Sequence, residues 1–465
     1  MCGIIGITDT EEAARLAYFG LYALQHRGQE SSGIVSWDEH SGIAHQHTGM
    51  GLVPEVFSED DLRHLAGRTA IGHVRYSTAG KPLIRNAQPL LVRIKGGVQL
   101  ALAHNGNLTN ARELRRMLED EGCIFQTTSD SEIFVHLIAK ALQGSDIAQA
   151  IISACSRVEG AYSLIIMADG TLFAVRDPHG FHPLSIGKTG HSLLFASESC
   201  AFDLLEADYV REVRPGEMII AGPGRHDCRS MFFAPANVPV RQCIFELVYF
   251  ARPDSCIFGE DVYQCRKLMG KIMMREAMAD AECVIPFPDS GVYASLGAAQ
   301  ESGLPYEHAL IRNHYVGRTF IQPSQNMRQY SVRVKINPVR SMIRGKSLCV
   351  VDDSIVRGTT IRTRVAKLRE MGAKAVHFRV SSPPVKHPCF YGIDFPSPAE
   401  LIATQMNEQQ IADMLGLDSL HYLSLDGLLS SVSEPDHYCT ACFTGEYPTR
   451  VPASSCRHPG NILQD

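Results

Sequence analysis

The apolar pattern of this chain changes period once, and that change limits what the chain can fold into. In the first half it alternates, as a half-buried strand requires. Val98, Leu100 and Leu102 interleave with Gln99, Ala101 and Ala103, and the apolar runs 163–168 and 171–175 flank Asp169-Gly170, a two-residue hairpin signal. Antiparallel sheet follows. Between strands, Asn110 and Glu113 predict a capping box heading a helix with Leu114, Met117 and Leu118 on one face and Gly122 as its stop. In the second half the run 348–351 reads as a buried strand. Ile361, Val365 and Leu368 then mark a helix ending at Gly372, and 375–380 is a second strand. That order is a βαβ unit, which requires parallel sheet.

The change falls near Gly222-Pro223-Gly224 and a proline-containing connector at 233–239. With 465 residues the chain exceeds what one core usually supports, so two domains are expected, at 2–230 and 240–465. A formal charge of −6 excludes the field of a general nucleic-acid binder. No run of about 18 apolar residues occurs, and the first residues lack the basic and apolar regions of a signal peptide. Neither a nucleic-acid nor a membrane partner is expected, and the expected compartment is the cytoplasm. Fourteen cysteines are too few for a disulfide scaffold of this length and suit thiol chemistry or metal ligation, most of them remaining buried thiols.

Cys2 follows Met1 directly. Once methionine is removed, one residue carries both a thiol and a free α-amine. With a reference pKa near ~8, that amine can take the thiol proton at neutral pH. Further along stand Leu24-Gln25-His26-Arg27-Gly28-Gln29, then Gly72-His73-Val74-Arg75-Tyr76-Ser77-Thr78, His104-Asn105-Gly106-Asn107 and Thr128-Ser129-Asp130-Ser131. Together and in this order they resemble the glutamine amidotransferases that use an N-terminal cysteine nucleophile. The resemblance implies an N-terminal nucleophile hydrolase fold, an αββα sandwich, over the first half. It also implies roles: Cys2 as nucleophile, Asn105 and Gly106 as oxyanion donors, Arg75 on the α-carboxylate of glutamine and Asp130 on its α-ammonium. The residue types fit those roles, since a guanidinium fork matches a carboxylate and an acid matches an ammonium.

In the second half, 350–360 reads Val-Val-Asp-Asp-Ser-Ile-Val-Arg-Gly-Thr-Thr where the apolar strand meets the helix. Gly358 and the hydroxyls of Ser354, Thr359 and Thr360 leave backbone N–H groups at a helix N-terminus free to cradle a phosphate. Asp352 and Asp353 would repel that phosphate unless they faced ribose hydroxyls or a hydrated Mg²⁺. No ordinary P-loop occurs. The segment resembles the phosphoribosyl pyrophosphate motif of type I phosphoribosyltransferases, a parallel-sheet fold. Pro288-Asp289-Ser290-Gly291 resembles that fold's pyrophosphate loop, with Ser290 beside Mg²⁺. The segment 312–323, holding Arg312 and Arg318, resembles its flexible loop, with Arg318 on the substrate.

Both halves in this order resemble the amidophosphoribosyltransferases. An α/β and α+β enzyme of two domains is thereby implied. It would take ammonia from glutamine at Cys2 and use it to displace pyrophosphate from phosphoribosyl pyrophosphate, giving 5-phosphoribosylamine in the first committed step of purine synthesis. The resemblance further implies a homotetramer inhibited by purine nucleotides.

Cys439 and Cys442 form a C-x-x-C, a spacing that brings two thiolates to one metal. Spacing alone leaves the other two ligands open, and it leaves zinc or reduced pairs without metal as rivals. The flanks of Cys243 and Cys389 resemble ligand sites in the iron–sulfur branch of the family, which implies a [4Fe-4S] cluster on Cys243, Cys389, Cys439 and Cys442. Some members of that branch carry a leader ahead of the cysteine, whereas Cys2 here needs only the loss of Met1.

Overall fold

A computed structural model of the chain describes residues 1–76, 83–142, 145–222, 228–313, 336–395 and 397–451. Within the first 232 residues lie two antiparallel sheets. One runs in spatial order Asp208–Glu212, Ser185–Thr189, Ser192–Ala196, Gly3–Ile7, Thr69–Arg75, Ser31–Asp38 and Ile43–Met50. The other runs Arg229–Phe232, Glu217–Ala221, Thr171–Arg176, Gly160–Ala168, Gln99–Leu108 and Leu90–Arg93. Ile4, Val35 and Ile71 of the first sheet meet Ala103, Ile165 and Ala174 of the second in one buried layer. Helix Ala13–Ala23 covers the outer face of the first sheet, and helices Ala111–Asp120, Ser131–Ala141 and Ile147–Cys155 cover that of the second. Because a strand alternates its faces, the inner strands Gly3–Ile7, Thr69–Arg75 and Gly160–Ala168 are buried on both sides, whereas the edge strands Ile43–Met50 and Arg229–Phe232 stay partly or fully exposed. Each fully buried Ile, Leu or Phe contributes about 1.5–3 kcal/mol by leaving water.

The hairpin predicted at Asp169-Gly170 is present, both residues standing at positive φ (+42° and +80°) as a type I′ turn demands. The helix predicted after Asn110 is present too, but without its capping box. The Asn110 side chain instead accepts from the Glu159 N–H (3.0 Å) and donates to the Arg157 carbonyl (3.0 Å). A tertiary tether between loops has taken the group that local sequence would have spent on the helix end.

Beyond residue 240, four parallel strands stand in the order Cys283–Pro286, Ser347–Asp352, Ala375–Val380 and Ser419–Tyr422. The βαβ unit runs through helix Thr359–Glu370, whose Ile361, Val365 and Leu368 are buried as their spacing predicts. Helices Thr359–Glu370 and Glu408–Leu415 cover one face, and Val262–Glu276 with Val292–Ser302 the other. Met1, Ala161 and Phe181 of the first half join the core on this second face. The two halves therefore share a packed apolar contact in addition to the exposed connector at 233–239.

Candidate active site

Cys2 stands at the edge of the central strand Gly3–Ile7, whose Gly3 pairs with Val74 in the neighbouring strand. That register carries Arg75 to the same end of the sheet, next to Ser31 in the strand beyond. Cys2 is buried, and its backbone N–H donates to Asn105 Oδ1 at 2.9 Å. Its carbonyl accepts from Arg27 Nε at 3.0 Å, and its Sγ lies 3.6 Å from the Tyr76 carbonyl oxygen. Both ends of the residue are thus fixed, while among the described residues the sulfur has a single hydrogen-bonding contact, the weak one to Tyr76. The amine of Met1 is buried, and desolvation holds it below the ordinary range for an N-terminus.

Asn105 and Gly106 belong to a strand, Gln99–Leu108, and not to a turn. Asn105 is fully buried, and its Nδ2 has no acceptor among the described residues. Gly106 has φ +151°, and a Cβ there would meet the Ala161 carbonyl oxygen at 2.0 Å, so no other residue fits the strand at this point. Asp130 is buried and accepts from the Leu108 N–H at 3.0 Å, with His104 Nδ1 3.8 Å away. Arg75 is buried and pairs with Glu30 at 3.1 Å. Glu30, His104 and Tyr76 are additions to the residues singled out from sequence. They lie in or beside the same motifs, but nothing in the motifs marks them as contacts.

At the second centre, Asp352 ends its strand, and the turn through Ser354 leads to Gly358, at φ +73°, with Thr359 and Thr360 as the first helical residues. Asp352 and Asp353 are both buried. Burial first, and then the adjacent Asp353 carboxylate, push Asp352 well above the usual carboxylate range. Ser290 Oγ donates to Asp352 Oδ1 at 3.3 Å, and Ser354 Oγ donates to Asp353. The Pro288-Asp289-Ser290-Gly291 loop can press onto the strand because Gly291 lacks a Cβ, which would lie 2.2 Å from the Val351 carbonyl oxygen. Arg364 is a residue the sequence reading missed. It lies over the Phe287 ring (4.1 Å), faces Asp352, and is lowered to about 10, chiefly by burial. Arg312, expected at the start of a loop, ends a short strand paired with Ile336, and its guanidinium pairs with Asp289. Arg318 lies outside the described residues.

The four cysteines converge. Cys243 pairs in parallel with Cys439, and the Lys386 and His387 N–H groups both donate to the Cys442 carbonyl at 3.0 Å, which brings Cys389 alongside. The Tyr391 N–H points at Cys389 Sγ (3.3 Å). All four are buried. Burial pushes each thiol up, Cys439 to about 12, and Cys243 also feels Cys389, Cys439 and Cys442. Among the described residues, no three Cys, His, Asp or Glu side chains stand close enough to share a single metal ion. Among them too, no helix is long and apolar enough to cross a membrane.

Residues 73–203 match the glutamine amidotransferase domain family. An amidophosphoribosyltransferase of Archaeoglobus fulgidus is 48% identical over 463 residues, spanning 98% of this chain and 100% of that one. A solved structure described as the allosteric regulatory enzyme of purine biosynthesis superimposes with a TM-score of 0.93 at 46% identity, over 99% of each chain. Glutamine phosphoribosylpyrophosphate amidotransferase from B. subtilis, complexed with ADP and GMP, superimposes with a TM-score of 0.91 at 45% identity, over 99% of this chain and 100% of that one. Fold and site together define a glutamine amidotransferase of the N-terminal nucleophile hydrolase fold, followed by a parallel-sheet phosphoribosyltransferase. The chain belongs to the amidophosphoribosyltransferase family. It is an enzyme, a pentosyltransferase that amidates phosphoribosyl pyrophosphate with nitrogen from glutamine in purine biosynthesis.

Proposed function

We propose that Cys2, freed of Met1, is the glutaminase nucleophile and that residues 2–230 and 240–465 form the two catalytic domains. The observation that carries this reading is the Asn105 amide, which holds the Cys2 nitrogen by Oδ1 and leaves Nδ2 buried with nothing to bond. A buried unpaired donor is costly unless a ligand supplies the acceptor. The α-amine takes the thiol proton, and the sulfur attacks the carboxamide carbon of glutamine. The charge that gathers on oxygen falls to Asn105 Nδ2 and the Gly106 N–H. The amide nitrogen takes up a proton and leaves as ammonia, and water then hydrolyses the γ-glutamyl thioester to glutamate and the free thiol. Arg75 and Asp130 hold the amino-acid end of glutamine.

At the second centre, ammonia attacks C1 of phosphoribosyl pyrophosphate and pyrophosphate departs, giving 5-phosphoribosylamine. Ser354, Gly358, Thr359 and Thr360 surround the 5-phosphate at the helix N-terminus, and Arg318 completes the substrate contacts. Asp352, Asp353 and Ser290 fit Mg²⁺, since two adjacent buried carboxylates, one of them pushed upward, are stabilised by a cation. When bound, that ion neutralises charge on the leaving pyrophosphate. Ammonium predominates in neutral water, so the seam around Met1, Phe181 and Tyr391 has a chemical use in keeping ammonia dry.

Cys243, Cys389, Cys439 and Cys442 fit a [4Fe-4S] cluster, a larger body than one ion, whose thiolates stand correspondingly further apart. When bound, the cluster would tie the C-terminal segment to the domain. We further propose a cytoplasmic homotetramer inhibited by purine nucleotides. The family and the ADP and GMP bound to the B. subtilis relative support the inhibitors, and free thiols at the thirteen described cysteines suit a reducing compartment.

The nucleophile is tested by treating the enzyme with a glutamine analogue bearing a diazoketone in place of the amide. Peptide mass spectrometry should find Met1 absent and the label on Cys2. Label on another residue with Cys2 unmodified would overturn the assignment.

A further inference from the structure

The Cys2 carbonyl is held by a residue that the second half of the chain controls. Arg27 is fully buried, and besides its Nε contact to that carbonyl it turns its fork onto two carboxylates. Glu246 receives both arms, Nη2 to Oε1 at 2.7 Å and Nη1 to Oε2 at 3.1 Å. Glu198, from the first half, also receives Nη1 and is itself fastened by the Arg252 N–H (2.8 Å) and Ser255 Oγ (2.7 Å). Glu246 is fully buried, lies 219 residues from Arg27, and opens the π-helical turn Glu246–Phe250. Such turns are uncommon and concentrate at functional sites. Arg266 on helix Val262–Glu276 pins this one by donating to the Leu247 carbonyl (2.7 Å) and the Ala251 carbonyl (2.8 Å). The same Glu246 carboxylate meets His182 Nδ1 at 3.2 Å, and the other nitrogen of that ring meets the Tyr391 carbonyl oxygen at 2.6 Å.

We propose that Glu246 is a positioning residue for the glutaminase reaction: its two-point grip on Arg27 fixes the Cys2 carbonyl and thereby the line along which the sulfur attacks. This rests on the reading of Cys2 as nucleophile. Cys2 has its nitrogen fixed by Asn105 within the first half and its carbonyl fixed by Arg27, so the residue is aimed only when both clamps are closed. A bidentate carboxylate sets the plane of the guanidinium, and a single contact would leave it free to swing. Small misplacements of a reacting group carry large rate penalties. Glutamine binding by Arg75 and Asp130 is independent of the clamp, and so is phosphoribosyl transfer.

The test compares Glu246→Gln, Glu246→Asp and Arg27→Lys in the full-length enzyme, measuring glutaminase kcat and KM beside synthesis from added ammonia. For Glu246→Gln and Arg27→Lys, glutaminase kcat should fall about tenfold or more, while the KM for glutamine and the ammonia-dependent rate stay within about twofold. Glu246→Asp, which restores the charge, should recover part of the loss. If Glu246→Gln does not fold, Arg27→Lys and Glu246→Asp carry the same comparison. Wild-type glutaminase kcat in these variants, or an equal loss of both activities, would overturn the proposal. The diazoketone label separates the two readings. If it misses Cys2 in wild-type enzyme, the nucleophile assignment fails, whereas a labelled Cys2 with undiminished turnover in the variants removes only the positioning role.

Discussion

Asn105 holds the backbone nitrogen of Cys2 through Oδ1 at 2.9 Å, and the same amide leaves Nδ2 buried without an acceptor among the described residues. On the proposed reading, one side chain aims the nucleophile and receives the charge that nucleophile creates. Its replacement should remove transition-state stabilisation while leaving the second centre untouched. Asn105→Ala is expected to lower glutaminase kcat by about 10²–10³-fold, the usual cost of an oxyanion donor. Synthesis from added ammonia should continue, and steady-state assays with each nitrogen source check the pair of outcomes.

On the proposed reading, Asp352 and Asp353 serve a substrate that both nitrogen sources share. The double substitution Asp352→Asn with Asp353→Asn should suppress synthesis from glutamine and from ammonia alike, and should weaken the dependence on Mg²⁺. Unchanged ammonia-dependent turnover would refute the assignment. Thermal stability should not fall, because the substitution removes the repulsion between two buried carboxylates.

Gly291 sits at ordinary φ (−74°), so alanine there meets no backbone strain. Its Cβ would nevertheless strike the Val351 carbonyl oxygen at 2.2 Å and displace Ser290 from Asp352. Gly291→Ala should raise the KM for phosphoribosyl pyrophosphate severalfold in the ammonia-dependent assay, with the KM for glutamine in the glutaminase assay unchanged.

Enzyme purified without oxygen should be brown, with about four iron atoms per chain, and Cys439→Ser should give poorly soluble protein with little iron. Metal analysis decides between this and the rival ion, since zinc without iron would contradict the cluster. The structural reason for poor solubility is local. Cys439 lies in the strand Tyr438–Cys439 paired with Gln242–Cys243, and a cluster that loses this ligand no longer ties the two strands together.

What the sequence disclosed and what it hid divide along the distance between partners. Cys2, Arg75, Asn105 and Asp130 stood out in the sequence because each lies in a short motif; the fold sets Cys2 and Arg75 at strand ends, Asn105 within the strand Gln99–Leu108 and Asp130 at the head of helix Ser131–Ala141. Arg27 was visible within its motif, but its function was not, because Glu246 lies 219 positions away and meets it only across the seam between halves. The pair Cys439 and Cys442 declared itself by spacing. Cys243 and Cys389 did not, since strand pairing and two N–H groups at 386–387 gather them. Asn110 shows the opposite failure: its local pattern called for a cap, and a loop 47 residues away claimed the side chain. The antiparallel sheet of the first half and the parallel sheet of the second were readable from apolar period, whereas the αββα sandwich and the phosphoribosyltransferase fold were implied by the family resemblance.

The central claim is that one thiol supplies nitrogen to a separate phosphoribosyl centre. Cys2→Ala in the full-length enzyme tests it most directly, with product formation followed from glutamine and from added ammonia in the presence of phosphoribosyl pyrophosphate and Mg²⁺. The expected result is no detectable glutamine-dependent synthesis alongside ammonia-dependent synthesis within about twofold of wild type, because only the first reaction needs the thiolate. Glutamine-dependent turnover that survives the substitution, or folded protein that loses both activities equally, would contradict the account.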